Sequence, residues 1–250
     1  MTIAAVLAAL SLPADARVDQ RVAKTLLVEN GAPTAADKRQ INEGIEELIW
    51  LAALKPTTIG VPAYRDDSRE YLEIAVLSLT LRPEAKATRL TELVHRAIPY
   101  PVFLILAQPT GLSLSLAHLR WSQGQSGLTV LDGPVVTASV AEEASGTSDF
   151  LASLNVTSQP RQHLQAFYQG WMERFEAYAA ARLSGSYTLC ESPALYQTRR
   201  EALAEHERLT REIAGLSARA GKETQLNRRV ELNLLLKQLE ARRAGARTSL

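Results

Sequence analysis

Five carboxylates in the first third of the sequence have the types and spacing of a metal site. Glu46 and Glu47 fall in an amphipathic segment, Asp66 and Asp67 precede a long apolar run, and Glu73 lies in that run. Mg²⁺ prefers hard oxygen ligands of this kind, and it supports nuclease chemistry beside a scissile phosphate. One hypothesis is therefore a metal-dependent nuclease acting on DNA, with Glu47, Asp67 and Glu73 as ligands and Mg²⁺ as cofactor.

The sequence just after Glu73 argues against this hypothesis. Nucleases of this type place a lysine two residues beyond the strand acid, where it stabilises the charge that develops on the phosphate. This sequence has Ala75 at that position. We therefore favour the interpretation that these carboxylates belong to a solvated helix face and an ordinary polar loop. On this interpretation the protein uses no cofactor.

A second group of residues has the chemistry of an anion site. His95 and Arg96 end a predicted helix, and His118 and Arg120 extend from the end of a predicted strand. If the four side chains converge, their positive field can hold an anion such as phosphate. The alternative is that a histidine in the last turn of a helix bonds the free carbonyl groups there, where positive charge is favoured. We prefer this alternative.

Arginine pairs near the C-terminus form a third candidate surface. Arg228 and Arg229, together with Arg242 and Arg243, can contact a nucleic-acid backbone, whose binding rests on counterion release. Glutamates are interleaved with these arginines, and the segment has no aromatic residue for stacking on bases. A solvated helix flank is the preferred interpretation, so that DNA meets this protein only through a larger complex.

Charge and cysteine content limit the remaining function classes. The 250 residues carry a net charge of +1, which argues against a strong attraction of the whole protein to DNA or to an anionic membrane. Residues 195–250 hold 12 Lys and Arg against 7 Asp and Glu, a net of +5, so a basic appendage follows a mildly acidic body. Cys190 is the single cysteine, which excludes an internal disulfide and a thiolate metal cluster and fits a reduced, cytoplasmic setting.

Several sequence motifs that reveal enzyme classes are absent. The sequence has no phosphate-binding loop, no dinucleotide glycine fingerprint and no nucleophile elbow. Its four histidines are far apart and have no metal-ligand spacing. The sequence therefore favours a protein without a catalytic or metal site.

Apolar patterns predict a small mixed β-sheet flanked by helices. Thr34 resembles an N-cap, and the helix that it opens has apolar residues at helical spacing as far as Ala52. A second helix is predicted for PEAKATRLTELVHRAI, and the turn chemistry of QPTG joins two strands as a hairpin. The predicted strands are TTIGV, EYLEIAVLSLTLR, PYPVFLILA and GLSLSLAHLRW, with GLTVL and PVVTASV as edge strands.

The first residues are apolar from Ile3 to Leu12. Small residues follow this run, as in a signal peptide, but the basic residues that a signal peptide needs are missing. The run is also shorter than a membrane span. We predict a docking helix that ends near Pro13, in a protein that is not exported and does not enter a membrane.

The C-terminal part has the most regular pattern. Leu195, Ala202, Leu209 and Leu216 recur every seven residues, and Gly221 offers a turn before a second leucine-rich segment. This pattern predicts an antiparallel coiled-coil helical hairpin. The second segment begins with polar residues at its seam, so we expect a poorly closed tip that meets a partner or a second copy.

These patterns together predict an α+β protein with three parts. An α+β sheet domain covers residues 1–145, a helical connection covers 146–190, and the hairpin covers 191–250. The connection contains the predicted helices TSDFLASL and PRQHLQAFYQGWMERFEAYAAARL.

Several segments in their order resemble a known family. The chain is similar, from about residue 17 to 243, to the bacterial domain-of-unknown-function family 4391. The segments that carry the resemblance are ADKRQINEGIEELIWLAALKPTTIGVP, REYLEIAVLSLTLR, ELVHRAIPYPVFLIL, LSLSLAHLRW and KETQLNRRVELNLLLKQLE. The resemblance implies a bacterial cytoplasmic protein whose gene lies beside DNA methyltransferases and helicases of restriction or phage-defence type. It brings no catalytic motif.

The expected function is that of a non-catalytic accessory subunit. The missing motifs, the hairpin and the resemblance favour an interaction subunit of a bacterial helicase–methyltransferase system for restriction or antiviral defence. The helicase or the methyltransferase is then its protein partner. The metal-dependent nuclease is one alternative, and a structural protein that self-associates through its C-terminal hairpin is another.

Overall fold

The computed structural model describes residues 1–124 and 127–250. These residues form two compact units, Met1–Phe175 and Glu176–Leu250. The helices are α1 (Ile3–Leu10), α2 (Lys24–Gly31), α3 (Ala35–Gly44), α4 (Pro56–Ile59), α5 (Ala87–Ala97), α6 (Thr147–Ser153), α7 (Leu164–Ser184), α8 (Pro193–Lys222) and α9 (Leu226–Thr248). Short 3₁₀ helices occupy Ala14–Ala16 and Val156–Ser158.

Within the described residues, ten strands form one large sheet and two small ribbons. The strands are β1 (Arg17–Arg21), β2 (Ile45–Leu54), β3 (Tyr64–Arg65), β4 (Glu70–Tyr71), β5 (Ile74–Leu81), β6 (Val102–Gln108), β7 (Gly111–Leu116), β8 (Leu119–Trp121), β9 (Thr129–Leu131) and β10 (Val136–Val140). The sheet has the order β1-β2-β5-β6-β7-β10, and the ribbons are β3-β4 and β8-β9. Only β5 and β6 pair in parallel within this sheet, so the prediction of an α+β fold with a mixed sheet is confirmed.

The centre of the sheet follows from the two longest apolar runs of the sequence. Strands β5 and β6 are buried on both faces, and Ala75 pairs with Val102 in a parallel register. A parallel pair needs a crossover connection, which α5 supplies by burying Leu90, Leu93 and Val94. These strands, the helix α5 and the antiparallel β6–β7 hairpin are found as predicted.

The segment Ile45–Leu54 is a strand, whereas the sequence pattern predicted a helix through it. Helix α3 does begin after the N-cap Thr34, but it ends at Gly44, and β2 then pairs with β1 and β5. A side chain at Gly44 would lie 2.9 Å from Leu90 Cδ1, so this position needs glycine for close packing. Nearly continuous apolar runs satisfy helical and strand spacing alike, and β-pairing on both sides decides the outcome here.

Two smaller predictions in this region were also wrong. The segment TTIGV is not a strand, because Pro56 begins the short helix α4 and Gly60 ends it in the left-handed conformation. Glu73 lies just before β5 rather than in it. Strand β1 was not predicted. Strand β9 was predicted as an edge strand but pairs with β8 outside the large sheet. Strand β10 is an edge strand of the large sheet, as predicted.

Aromatic side chains of α7 complete the core of the first unit. Trp171 is fully buried, its ring centroid lies 4.8 Å from those of Phe103 and Phe167, and its indole nitrogen donates to the Leu154 carbonyl. The hydroxyl of Tyr168 bonds the backbone of both Val102 and Ala117, which ties α7 to β6 and to the end of β7. Helix α1, the predicted docking helix, adds the buried Val6 and Leu10.

In the second unit, α8 and α9 pack against each other as a helical hairpin. Its core consists of Leu209, Ile213, Leu216 and Leu239, with Leu232 and Leu236 partly buried against them. The predicted seam is therefore present over most of its length. Leu195 is the exception, because 55% of it is exposed.

Candidate functional site

The structure separates the carboxylates of the nuclease hypothesis. Glu47 lies in β2 opposite Thr80, near one end of β5, whereas Glu73 lies just before Ile74 at the other end. Seven residues of strand put these positions about 23 Å apart, which is too far for one Mg²⁺. Within residues 1–124 and 127–250, no three His, Cys, Asp or Glu side chains gather as metal ligands.

Each of these acidic positions has a local structural setting. Glu73 is almost buried and forms an ion pair with Lys55 at 3.0 Å. Asp67 is exposed in the turn between β3 and β4. Its neighbour Asp66 builds that turn by accepting hydrogen bonds from Tyr64 Oη and Ser68, and these bonds lower the pKa of Asp66 to about 2. Glu47 lies 4.0 Å from Arg21 at the sheet edge.

Two of the four residues predicted to bind an anion meet in one cleft. Arg96, in the last turn of α5, and Arg120, in β8, line a cleft of about 530 Å³ together with residues 29–33 at the end of α2 and residues 129–131 of β9. Two guanidinium groups on one cleft present several fixed hydrogen-bond donors, which suit a carboxylate or phosphate.

Carboxylates oppose the charge of both arginines in this cleft. Arg96 is bound to Glu92 at 2.8 Å, Arg120 lies 3.8 Å from Asp132, and Glu29 is part of the cleft wall. Asp132 is also held by Arg69 at 2.5 Å. An incoming anion must therefore compete with these carboxylates for both guanidinium groups.

His95 points away from the cleft and into the core. Its side chain is buried, and Nε2 bonds Ser115 Oγ at 2.9 Å. Burial lowers the pKa of His95 to about 3, so the imidazole is neutral at physiological pH. It contributes no positive charge to an anion site, and its bond to a strand hydroxyl differs from the predicted bond to helix carbonyls.

His118 is held at both ring nitrogens. Gln169 Oε1 can only accept, so His118 Nε2 donates to it at 3.0 Å, and Nδ1 accepts from the hydroxyl of Tyr71 at 2.5 Å. Tyr71 is buried, and burial raises its pKa. The three side chains fix β4, the start of β8 and α7 in position. Nothing in the sequence indicated Tyr71 or Gln169, because the three residues are distant along the chain.

The arginines of the hairpin lie on solvent-exposed faces of α9. Arg228 and Arg229 are exposed near the start of the helix, and Arg242 pairs with Glu205 of α8 at 3.0 Å. Exposed apolar residues lie among them. Leu226, Val230 and Leu234 follow each other at intervals of four residues with 63%, 50% and 58% exposure. This outer apolar row was not predicted from the sequence, because the leucines of α9 were assigned to a single seam against α8.

A second exposed apolar area lies at the start of the hairpin, and we call it the base cleft. The cleft has a volume of about 310 Å³, and it is lined by Leu189, Cys190, Glu191, Leu195, Thr198, Arg199, Ser249 and Leu250. Leu189 and Leu195 are both exposed. The guanidinium group of Arg199 bonds the carbonyl and the hydroxyl of Thr188 and thereby fixes the segment before α8.

The fold and these surfaces define an α+β protein with a six-stranded mixed sheet and a C-terminal helical hairpin. A family model described as a domain of unknown function, DUF4391, matches residues 10–242. The chain therefore belongs to this family, and the resemblance stated above is confirmed. No curated protein and no solved structure matches the chain.

None of the helices in the described ranges combines the length and the apolar character needed to span a bilayer.

Proposed function

We propose that this protein is a non-catalytic accessory subunit of a bacterial DNA helicase–methyltransferase system of restriction or antiviral defence, acting in the cytoplasm. The observation that carries the proposal is the base cleft, where Leu189 and Leu195 are exposed beside a preformed recess. Contiguous exposed apolar surface with a polar surround is typical of protein–protein contact sites.

The polar groups of the base cleft suit a protein partner. The exposed Glu191 and the largely buried Arg199 lie beside the leucines, so charged groups of both signs border an apolar centre. Interfaces typically combine such a centre with a polar rim. Because Arg199 is already bonded to Thr188, the recess is organised before the partner arrives, which reduces the entropy lost on binding.

The geometry of the first unit supports a role without catalysis. The predicted nuclease ligands lie apart, His95 is neutral and buried, and both nitrogens of His118 are occupied by Tyr71 and Gln169. The class of partner is taken from the family resemblance. Members of that family look like proteins encoded beside helicases and methyltransferases. DNA then reaches this subunit through the complex.

Co-purification tests the proposal. The protein is coexpressed with the helicase and the methyltransferase encoded next to its own gene, and the complex is isolated through a tag on one of these enzymes. We expect the protein to co-elute at a fixed stoichiometry. Leu195→Asp should remove it from the complex, because a carboxylate in an apolar interface loses its hydration.

A matched control separates docking from general solubility effects. Leu72→Asp places the same charge on another half-exposed leucine, in the first unit, and should leave the complex intact. The proposal fails if the wild-type protein elutes apart from every neighbouring gene product. It also fails if the two aspartate variants behave alike.

A further inference from the structure

The outward side of α9 carries a row of five apolar or small residues interrupted by one lysine, which we call the outer stripe. It runs through Leu226, Val230, Leu234, Lys237, Ala241 and Gly245, and all six positions are exposed. Leu232, Leu236 and Leu239 contact α8 from the opposite side of the helix. At 3.6 residues per turn the two rows lie about 160° apart. The outer stripe therefore plays no part in closing the hairpin.

Residue size changes along the outer stripe. Its first half has the large apolar side chains Leu226, Val230 and Leu234, and its second half has Lys237 followed by the small residues Ala241 and Gly245. A side chain built on Gly245 would meet nothing within 4 Å, so the second half leaves open space. Large side chains in one half and space in the other are complementary when two such stripes run in opposite directions.

An antiparallel pair of outer stripes fits with two-fold symmetry. Leu226 then lies opposite Gly245 of the second copy, Val230 opposite Ala241, and Leu234 opposite the stem of Lys237. All three pairs share the same midpoint, between Leu235 and Leu236, as a two-fold axis requires. The lysine stem can cover a leucine while its ammonium group stays in water. A parallel pair would place small residues opposite small residues and leave a gap.

The charges beside the outer stripe agree with the same register. Two-fold antiparallel packing brings like flanks together, and on one flank Arg229 comes within one helical turn of Glu240 of the second copy. On the other flank Glu231 meets Arg242 of the second copy, which also pairs with Glu205 of α8 within its own chain. Both contacts pair opposite charges, and symmetry repeats each of them. Exposed pairs add little affinity, but they determine register and orientation.

We propose that two copies of this protein associate through the outer stripes of their α9 helices, antiparallel and with the two-fold axis between Leu235 and Leu236. This contact is separate from the base cleft, so the dimer and the enzyme complex proposed above can fail independently. The contact spans about 29 Å of helix, and we expect a small interface of this kind to associate weakly and reversibly.

Sedimentation velocity of the full chain alone tests the proposal. Over about a hundredfold range of concentration around the micromolar region, the wild-type protein should change from monomer to dimer. Val230→Asp should weaken the dimer at least about tenfold, because each of the two new carboxylates would lose its hydration against Ala241 of the other copy. Leu72→Asp, outside the stripe, should leave the dissociation constant unchanged. A wild-type protein that stays monomeric at every concentration overturns the proposal.

A charge exchange tests the register and excludes a nonspecific apolar contact. Arg229→Glu alone and Glu240→Arg alone each create like-charge pairs on both sides of the axis and should weaken the dimer roughly tenfold. The double variant restores opposite charges across the axis and should return to nearly wild-type affinity. Circular dichroism checks that α9 stays helical in all variants. A double variant no tighter than the single ones overturns the antiparallel register.

Discussion

The two units of this protein bury apolar residues to very different extents. The first unit encloses two central strands and a cluster of aromatic rings, and many of its large side chains are inaccessible to solvent. In the hairpin the buried apolar residues are Leu209, Ile213, Leu216, Ala220 and Leu239, whereas α9 exposes Leu226, Val230, Leu234 and Leu235. The first unit thus has an extensive core of its own, whereas the hairpin leaves large apolar side chains exposed to solvent.

Core truncation in each unit should show this difference most strongly. Trp171→Ala removes a fully buried indole, its hydrogen bond and its contacts with the rings of Phe103, Phe167 and Tyr168, and should reduce the free energy of unfolding by about 4 kcal/mol. Leu209→Ala in the hairpin should cost about 2 kcal/mol, because a small core relaxes around the change.

Two optical signals distinguish the units in this measurement. All three tryptophans of the chain lie in the first unit, so tryptophan fluorescence during a urea titration reports the unfolding of this unit. Far-ultraviolet circular dichroism also reports the unfolding of the hairpin helices. Equal losses for the two variants would contradict the comparison.

The buried histidine of the first unit should make its stability depend on pH. His95 has a folded pKa of about 3 against 6.5 in the unfolded chain, so below pH 6.5 only the unfolded state takes up the proton. Stability should therefore fall by about 2 kcal/mol between pH 7 and pH 5 through this group. His95→Gln, which can still bond Ser115, should show a correspondingly smaller decrease.

The hairpin offers the control for this experiment. The pKa of His206 is also lowered, by burial and by Arg243 and Arg247, but this histidine is only partly buried. His206→Gln should leave the pH dependence of the first unit as it is. If the two glutamine variants flatten the fluorescence-monitored pH profile equally, the burial of His95 is not the cause.

Glycine-to-alanine substitutions in the two units should change the stability in opposite directions. Gly44→Ala should destabilise the first unit by about 1–2 kcal/mol, because the new methyl group would lie 2.9 Å from Leu90 Cδ1 and 3.2 Å from Ala85 Cβ. Gly215 lies within α8 and has open space around it, so Gly215→Ala should stabilise the hairpin by up to about 1 kcal/mol. Thermal unfolding of both variants decides, and a shared sign would contradict the packing difference.

The helix caps should give the smallest effects. Thr34 Oγ1 accepts from Asp37 N–H at 3.1 Å and donates to the Asp37 carboxylate at 2.7 Å, so Thr34→Ala should cost about 1 kcal/mol or slightly more. Ser192 makes a single cap bond of 3.3 Å to Leu195 N–H, and Ser192→Ala should cost about 0.5 kcal/mol. Urea unfolding midpoints measure both, and a larger loss for Ser192 would reverse the order expected.

The sequence was a good guide where one structural preference dominated. The apolar runs of β5 and β6 and the amphipathic spacing of α5 led to the correct elements, because burial on two faces and burial on one face leave distinct patterns. At Ile45–Leu54 the pattern allowed both a helix and a strand. Pairing with β1 and β5, which are distant in sequence, selected the strand.

The candidate sites were harder to predict because each depends on tertiary contacts. Arg96 and Arg120 do line one cleft, but the carboxylate that opposes Arg120 comes from Asp132, beyond β9. The direction of His95 depended on which side of α5 faces the sheet. For the hairpin, leucine spacing indicated that α8 and α9 pack together. It did not distinguish the leucines of α9 that contact α8 from the leucines of the outer stripe.

The hydroxyl of Tyr168 should make the hydrogen exchange of one backbone amide depend on helix α7. Ala117 N–H donates to this side-chain oxygen on α7 at 2.9 Å, and not to a neighbouring strand. Its exchange with deuterated water should therefore follow the detachment of α7, whereas amides inside β5 and β6 exchange only when the sheet itself opens. Ala117 is thus a natural probe for how often this helix leaves the sheet, and Tyr168→Phe should accelerate its exchange while leaving the strand amides slow.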